Sequence, residues 1–140
     1  MGKVQILAVL TMDGCLSSEL YDKAHQDLCL DRCGLDEIRN NALYRVTPDY
    51  SISMLHEWRK DGTNIRYLAE ATPDTADYIN GLLRMHAVDE IILYTVPFIS
   101  GSGRHFFKSA LPEQHWTLSS LKSYPNGVCR IIYILDKKAR

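Results

Sequence analysis

A chain of 140 residues with 46% hydrophobic and 24% charged side chains has the composition of an ordinary globular protein, long enough to bury a core as one domain over 1–140. Its 16 basic and 17 acidic residues give a formal net charge of -1, which argues against nucleic acid as a partner; the one basic cluster is the tail Lys137, Lys138 and Arg140. No run approaches the ~20 apolar residues that cross a bilayer, and the apolar start leads into a polar turn rather than a cleavage site, so no membrane is expected. The expected location is cytoplasmic, with Cys15, Cys29, Cys33 and Cys129 as reduced thiols.

Residues 3–11, KVQILAVLT, are apolar at both alternating sets of positions, the pattern of a central strand buried on both faces. Thr11-Met12-Asp13-Gly14 then reads as a Gly-ended turn. Ser17 or Ser18 is a candidate cap for a helix whose Leu20, Ala24 and Leu28 recur at four-residue spacing, with Gly34 as its stop. Residues 40–47, NNALYRVT, read as a second strand ended by Pro48. SISMLHEWRKDG predicts a short helix with Ile52, Leu55 and Trp58 on one side and Gly62 as its stop. A third strand follows at 64–69.

Thr72-Pro73 is a helix start, a cap followed by a first-turn proline, and Ala76, Ile79, Leu83 and His86 lie on one stripe after it. Residues 90–99 form the most apolar strand. WTLSSLKSY, PNG and VCRIIYIL then give two strands joined by a turn. Strands alternating with helices before a terminal hairpin predict an α/β fold: three layers, a mostly parallel central sheet flanked by helices, and a C-terminal antiparallel hairpin. Ile131, Ile132 and Ile134 make that hairpin the expected edge for a homodimer.

The stretch DEIILYTVPFISGSGRHFF, 89–107, carries the chemistry of most interest. A strand ending in Gly101-Ser102-Gly103 resembles the start of a dinucleotide fingerprint, but Phe106 stands where the third glycine belongs. Two readings of the glycines remain. They form an anion-binding nest with Arg104 beside it, or a turn that needs positive φ.

Elsewhere, His25, Cys29 and Cys33 at four-residue spacing offer three soft ligands on one helix face with no fourth, so no metal is assigned. His86 reads as a core histidine. Asp36-Glu37 and Asp89-Glu90 read as solvated surface or strand entry. Tyr44, Tyr50 and Tyr67 either line a cleft that stacks a flat ring or fill the core.

The same stretch resembles the signature of the dihydrofolate-reductase-like superfamily, in its riboflavin-biosynthesis reductase branch. The matching residues are Asp89, Glu90, Pro97, Gly101, Gly103 and Phe107. Thr11-Met12-Asp13-Gly14 is similar to the family's Ser-Leu-Asp-Gly after its first strand, and Tyr44-Arg45-Val46-Thr47 to its Gly-Arg-x-Thr. The resemblance implies a dihydrofolate-reductase-like fold and a reductase that transfers hydride from NADPH (NADP) to a small-molecule substrate, a pterin-like or aminopyrimidine ring. It implies a catalytic role for Asp13 in orienting the ring, with Thr11, Met12 and Gly14 bordering substrate. Arg45 and Thr47 would reach cofactor phosphates, and Gly101, Ser102, Gly103 and Arg104 would supply a phosphate seat.

The family's Gly-Gly before a helix aligns near Ala71-Thr72-Pro73, where no glycine stands and where Glu70, Asp74 and Asp77 are expected to repel a phosphate. Three readings follow: a reductase, a non-catalytic binding or structural module of the same fold, and an unrelated α/β nucleotide-binding domain.

Overall fold

The computed structural model describes residues 2–17, 23–60, 64–101, 103–108 and 111–135. Its strands are β1 (Lys3–Leu10), β2 (Tyr44–Arg45), β3 (Arg66–Glu70), β4 (Glu90–Thr95), β5 (Trp116–Ser123) and β6 (Cys129–Leu135). They form one 6-stranded sheet in the order β2-β3-β1-β4-β6-β5. The pairs β2–β3, β3–β1 and β1–β4 are parallel, whereas β4–β6 and β6–β5 are antiparallel. This is the mixed α/β architecture with a C-terminal hairpin that the sequence predicts. The helices are α1 (Lys23–Asp27), α2 (Leu35–Asn41), α3 (Ile52–Arg59) and α4 (Ala76–Arg84). None among the described residues is long and apolar enough to cross a membrane.

β1 is central, and its two apolar sets feed two cores. Val4, Ile6 and Ala8 pack with Leu55 of α3 and with Ile79, Leu82 and Leu83 of α4. Leu7 packs on the other face with Leu30, Leu35, Leu68, Ile92 and Tyr94. The sheet is thus the middle of three layers. Each fully buried Leu or Ile of α4 contributes about 1.5–3 kcal/mol over leaving it in water.

The two longest helices begin differently. Ser51 Oγ accepts the Met54 amide at 3.1 Å before α3. Ahead of α4 the cap falls at Thr75 rather than at the expected Thr72: Thr72 and Pro73 lie in the turn before the helix, where Thr72 Oγ1 accepts the Thr75 amide at 3.2 Å and Thr72 O accepts the Ala76 amide. The hairpin turns at Gly127, whose φ of 89° closes a bond from its amide to Tyr124 O.

Several expectations are corrected. The single helix expected to end at Gly34 is broken, because Cys29 is left-handed (φ 49°) and Gly34 (φ 80°) joins a 3-10 turn, Leu30–Cys33, directly to α2. Cys29 therefore breaks the stacking of His25, Cys29 and Cys33 along one helix. Ser17 does not cap a described helix; its Oγ lies 2.8 Å from His25 Nδ1. Ser18, Leu20 and Gly62 lie outside the described residues. Because α2 runs to Asn41, the second strand shrinks from 40–47 to Tyr44–Arg45. His86 is no core residue: it follows the end of α4 with a φ of 55° and is exposed.

Asp89 is not simply solvated. It accepts Arg59 Nε at 2.9 Å and a second bond from Nη2, together with the Val4 amide at 2.9 Å, tying α3 to the N-terminal edge of the sheet.

Candidate functional site

Because β1 to β4 are parallel, the loops after all four emerge at one edge of the sheet. The chain adds β2 and β3 on one side of β1 and β4 on the other. Such a reversal leaves a crevice at the strand C-termini, the usual ligand position in open α/β sheets.

The loop after β1 is a tight turn. The Thr11 amide donates to Cys15 O at 2.8 Å, the Gly14 amide to Thr11 O at 3.0 Å, and Gly14 takes a φ of 79°. Buried Thr11 Oγ1 accepts the Cys15 amide at 3.1 Å and donates to the Asp13 carboxylate. This loop is stitched to the loop after β4: Met12 N to Phe98 O (2.9 Å), Leu16 N to Arg104 O (2.8 Å) and Phe106 N to Gly14 O (3.2 Å). The Met12 side chain itself is 64% exposed.

The glycine turn does hold an anion, and that anion belongs to the chain. Asp13 Oδ1 accepts the Ser100 amide at 3.1 Å and Oδ2 the Gly101 amide at 3.0 Å. The Thr11 hydroxyl, then the Gly101 and Ser100 amides, hold this carboxyl far below the usual carboxylate range. Asp13 is therefore ionised at neutral pH and can act only as an acceptor and a fixed negative charge, not as a proton donor.

The two glycines serve different needs. Gly101 has a φ of 74° and open space around it, so its requirement is conformational. At Gly103 a Cβ would overlap Ser100 Oγ and stand 2.9 Å from Cys15 Cβ, so its requirement is close approach of the β1 loop. Ser102 lies outside the described residues.

Arg104 reaches across to the start of α4, where Nη1 donates to Pro73 O at 3.2 Å. On the β2 side, Arg45 Nη1 is 3.4 Å from Glu70 Oε2, and Arg39 of α2 donates Nε to the same oxygen at 3.2 Å and Nη2 to Oε1. Thr47 Oγ1 accepts the Asp49 amide at 3.4 Å. Arg39 and Arg45 thus offset the charge of Glu70, one of the three carboxylates expected to repel a phosphate, and Arg104 sits beside the helix start where Asp74 and Asp77 stand. Sequence reasoning missed Arg39, whose one local signal is its i,i+3 pairing with Asp36 at 3.8 Å.

The backbone at the α4 start is used locally. Thr72 N donates to Thr75 Oγ1 at 2.8 Å, and Ala71 N to Leu7 O at 2.8 Å. Tyr44, Tyr67, Trp58 and Tyr50 form a ladder, with centroid separations of 5.5, 5.7 and 5.6 Å, in which Tyr44 stacks on Tyr67, Tyr67 stacks on Trp58, and Tyr50 meets Trp58 edge-on. Near the start of β6, at the same sheet edge, a depression of about 390 Å³ is lined by Asp27, Arg32, Cys33, Tyr124 and Asn126 among others. Among the described residues no group of His, Cys, Asp and Glu is arranged to hold a metal.

No protein-family model matches the chain, and no curated protein matches it in sequence. In three dimensions, 96% of it aligns with 99% of a candidate riboflavin biosynthesis protein from Shewanella sp. PV-4, at 10% identity and a TM-score of 0.59. A deaminase/uracil reductase from Thermotoga maritima aligns with 96% of the chain at 11% identity and a TM-score of 0.61. RibD of Acinetobacter baumannii aligns with 97% at 11% identity and a TM-score of 0.56. The fold is that of the riboflavin-biosynthesis reductases. The chain spans 56% of the Thermotoga protein and 58% of the Acinetobacter one, so it corresponds to part of each. An unrelated α/β nucleotide-binding fold is set aside by this likeness.

Proposed function

We propose that this chain is a reductase of the riboflavin or folate type that passes hydride from NADPH to a pterin-like or aminopyrimidine ring. The observation carrying the proposal is the convergence, at the strand-end crevice of a riboflavin-reductase fold, of the β1 and β4 loops with three guanidinium groups, those of Arg39, Arg45 and Arg104. Guanidinium forks suit phosphate, whereas the glycine nest is already filled by Asp13. Arg45 and Arg104, both exposed, are therefore the residues to hold cofactor phosphates, with Arg39 behind Arg45.

NADPH supplies the hydride when bound. The chain's own contribution is positioning: the stitched β1 and β4 loops fix the crevice floor, and Asp13 keeps a negative charge beside it without offering a proton. The depression near Arg32, Tyr124 and Asn126 has the volume of a small-ligand pocket.

A second reading, a non-catalytic module of the same fold, is favoured by one observation: the Ser100, Gly101, Thr72 and Thr75 amides are all satisfied internally. Thermal unfolding with NADPH separates the two. A ligand at a hundred times its dissociation constant adds about 2.7 kcal/mol to stability, a shift of several degrees in a domain of this size. No shift at millimolar NADPH would end the reductase reading in favour of the module. If a shift appears, Arg45→Ala and Arg104→Ala should each shrink it.

A further inference from the structure

Asn80 is a fully buried polar side chain on α4, beside the buried apolar Ile79, Leu82 and Leu83. A buried amide costs free energy unless its donors and its acceptor are met. In Asn80, Nδ2 donates to Ala76 O and to Phe106 O, each at 2.8 Å, and Oδ1 accepts the Lys108 amide at 3.0 Å. Two of these bonds leave the helix. The Phe106 carbonyl and the Lys108 amide flank Phe107 and belong to no named strand, so the Asn80 amide supplies both bonds that a neighbouring strand would otherwise supply.

The other side of the same segment faces the crevice. Arg104 O accepts the Leu16 amide, Cys15 and His105 form an isolated bridge, and the Phe106 amide donates to Gly14 O. Residues 104–108 thus lie between the β1 loop, which carries Asp13, and one side chain of α4. Arg104 returns to the start of that helix through its bond to Pro73 O. A residue that only filled the core would bind nothing beyond α4, whereas Asn80 binds the backbone just past Arg104.

We propose that Asn80 is a positioning residue for the crevice. Its amide fixes where the 104–108 segment lies, and through it where the Arg104 guanidinium and the β1 loop stand. Being fully buried, it acts through Arg104 rather than by contact with a ligand. The consequence for cofactor binding rests on the reading that Arg104 holds a phosphate of NADPH; the local consequence does not.

Amide hydrogen exchange in Asn80→Ala tests the local part. The Leu16, Phe106 and Lys108 amides should exchange about tenfold faster than in the wild type, as loss of a buried hydrogen bond predicts. The Val46 and Ala71 amides, bonded to Leu68 O and Leu7 O on the β3 side, should keep their rates. Equal acceleration at all of these amides would mean only a less stable domain and would overturn the proposal. If Asn80→Ala fails to fold, the wild-type chain decides: the Asn80 side-chain protons should exchange together with the Lys108 amide, in an opening separate from that of Val46 and Ala71, and a single shared opening overturns the proposal. With NADPH as probe, Asn80→Ala should raise the dissociation constant about tenfold, and adding Arg104→Ala should raise it little further, since the two act as one unit. Fully additive losses overturn the proposal. A wild-type chain that binds no NADPH ends the reductase reading, and the exchange result alone then decides the role of Asn80.

Discussion

Two aspartates mark opposite ends of neighbouring strands, and they are satisfied in opposite ways. Asp89, just before β4, meets the guanidinium of buried Arg59, whose Nη1 also donates to His86 O at 3.0 Å. Among the described residues Asp13, just after β1, meets only neutral donors, the Ser100 and Gly101 amides and the Thr11 hydroxyl. Where water is excluded, the carboxylate has a full counter-charge; where the edge opens, oriented dipoles suffice and the negative charge stays uncancelled. The lower end fixes how α3 sits on the sheet, and the upper end fixes the shape of two loops around a crevice.

The sharpest way to break this contrast is Asp89→Asn. Removing one partner of a buried ion pair should cost about 3–5 kcal/mol in urea unfolding, because Arg59 is left buried and uncompensated; a loss below about 1 kcal/mol would mean the pair is no more than a surface contact.

A smaller effect separates the two glycines of the upper end. Gly103→Ala should cost about 1–3 kcal/mol through the clash with Ser100 and Cys15, and Gly101→Ala about 1–2 kcal/mol through its left-handed backbone alone. Equal costs would mean that the β1 loop gives way easily at Gly103.

The subtlest effect is the pH dependence of Asp13→Asn. The folded carboxyl titrates below its unfolded value near 4, so its stabilisation is complete above about pH 4 and is lost as pH falls through the folded value. The stability gap between wild type and variant should be flat near neutrality and narrow on acidification below about pH 4. A gap that widens in acid would contradict the hydrogen-bond assignment.

The central architecture was legible because its signals are local. A strand apolar at both alternating sets of positions reads as central, Thr72-Pro73 marks the turn that leads into a helix, and Pro125-Asn126-Gly127 marks the hairpin turn. The region between β1 and β3 was not, because a left-handed Cys29 has no sequence signature, and a strand of two residues carries too little alternation to be found. At the crevice, the sequence marked Asp13 and Gly101 separately. That one would hold the other across 88 positions is a tertiary fact, as is the guanidinium pair that offsets Glu70. Likewise Asp89 looks solvated until α3 is folded over it.

The Tyr44–Tyr67–Trp58–Tyr50 ladder gives the molecule a built-in optical probe. The chain has only two tryptophans. One, on α3, is held between the Tyr67 and Tyr50 rings, and the other walls an apolar pocket with Ile91, Leu93, Phe107 and Tyr133. Emission from the first should report when the helix leaves the sheet, so replacing Trp116 by phenylalanine leaves a single-channel reporter for that step.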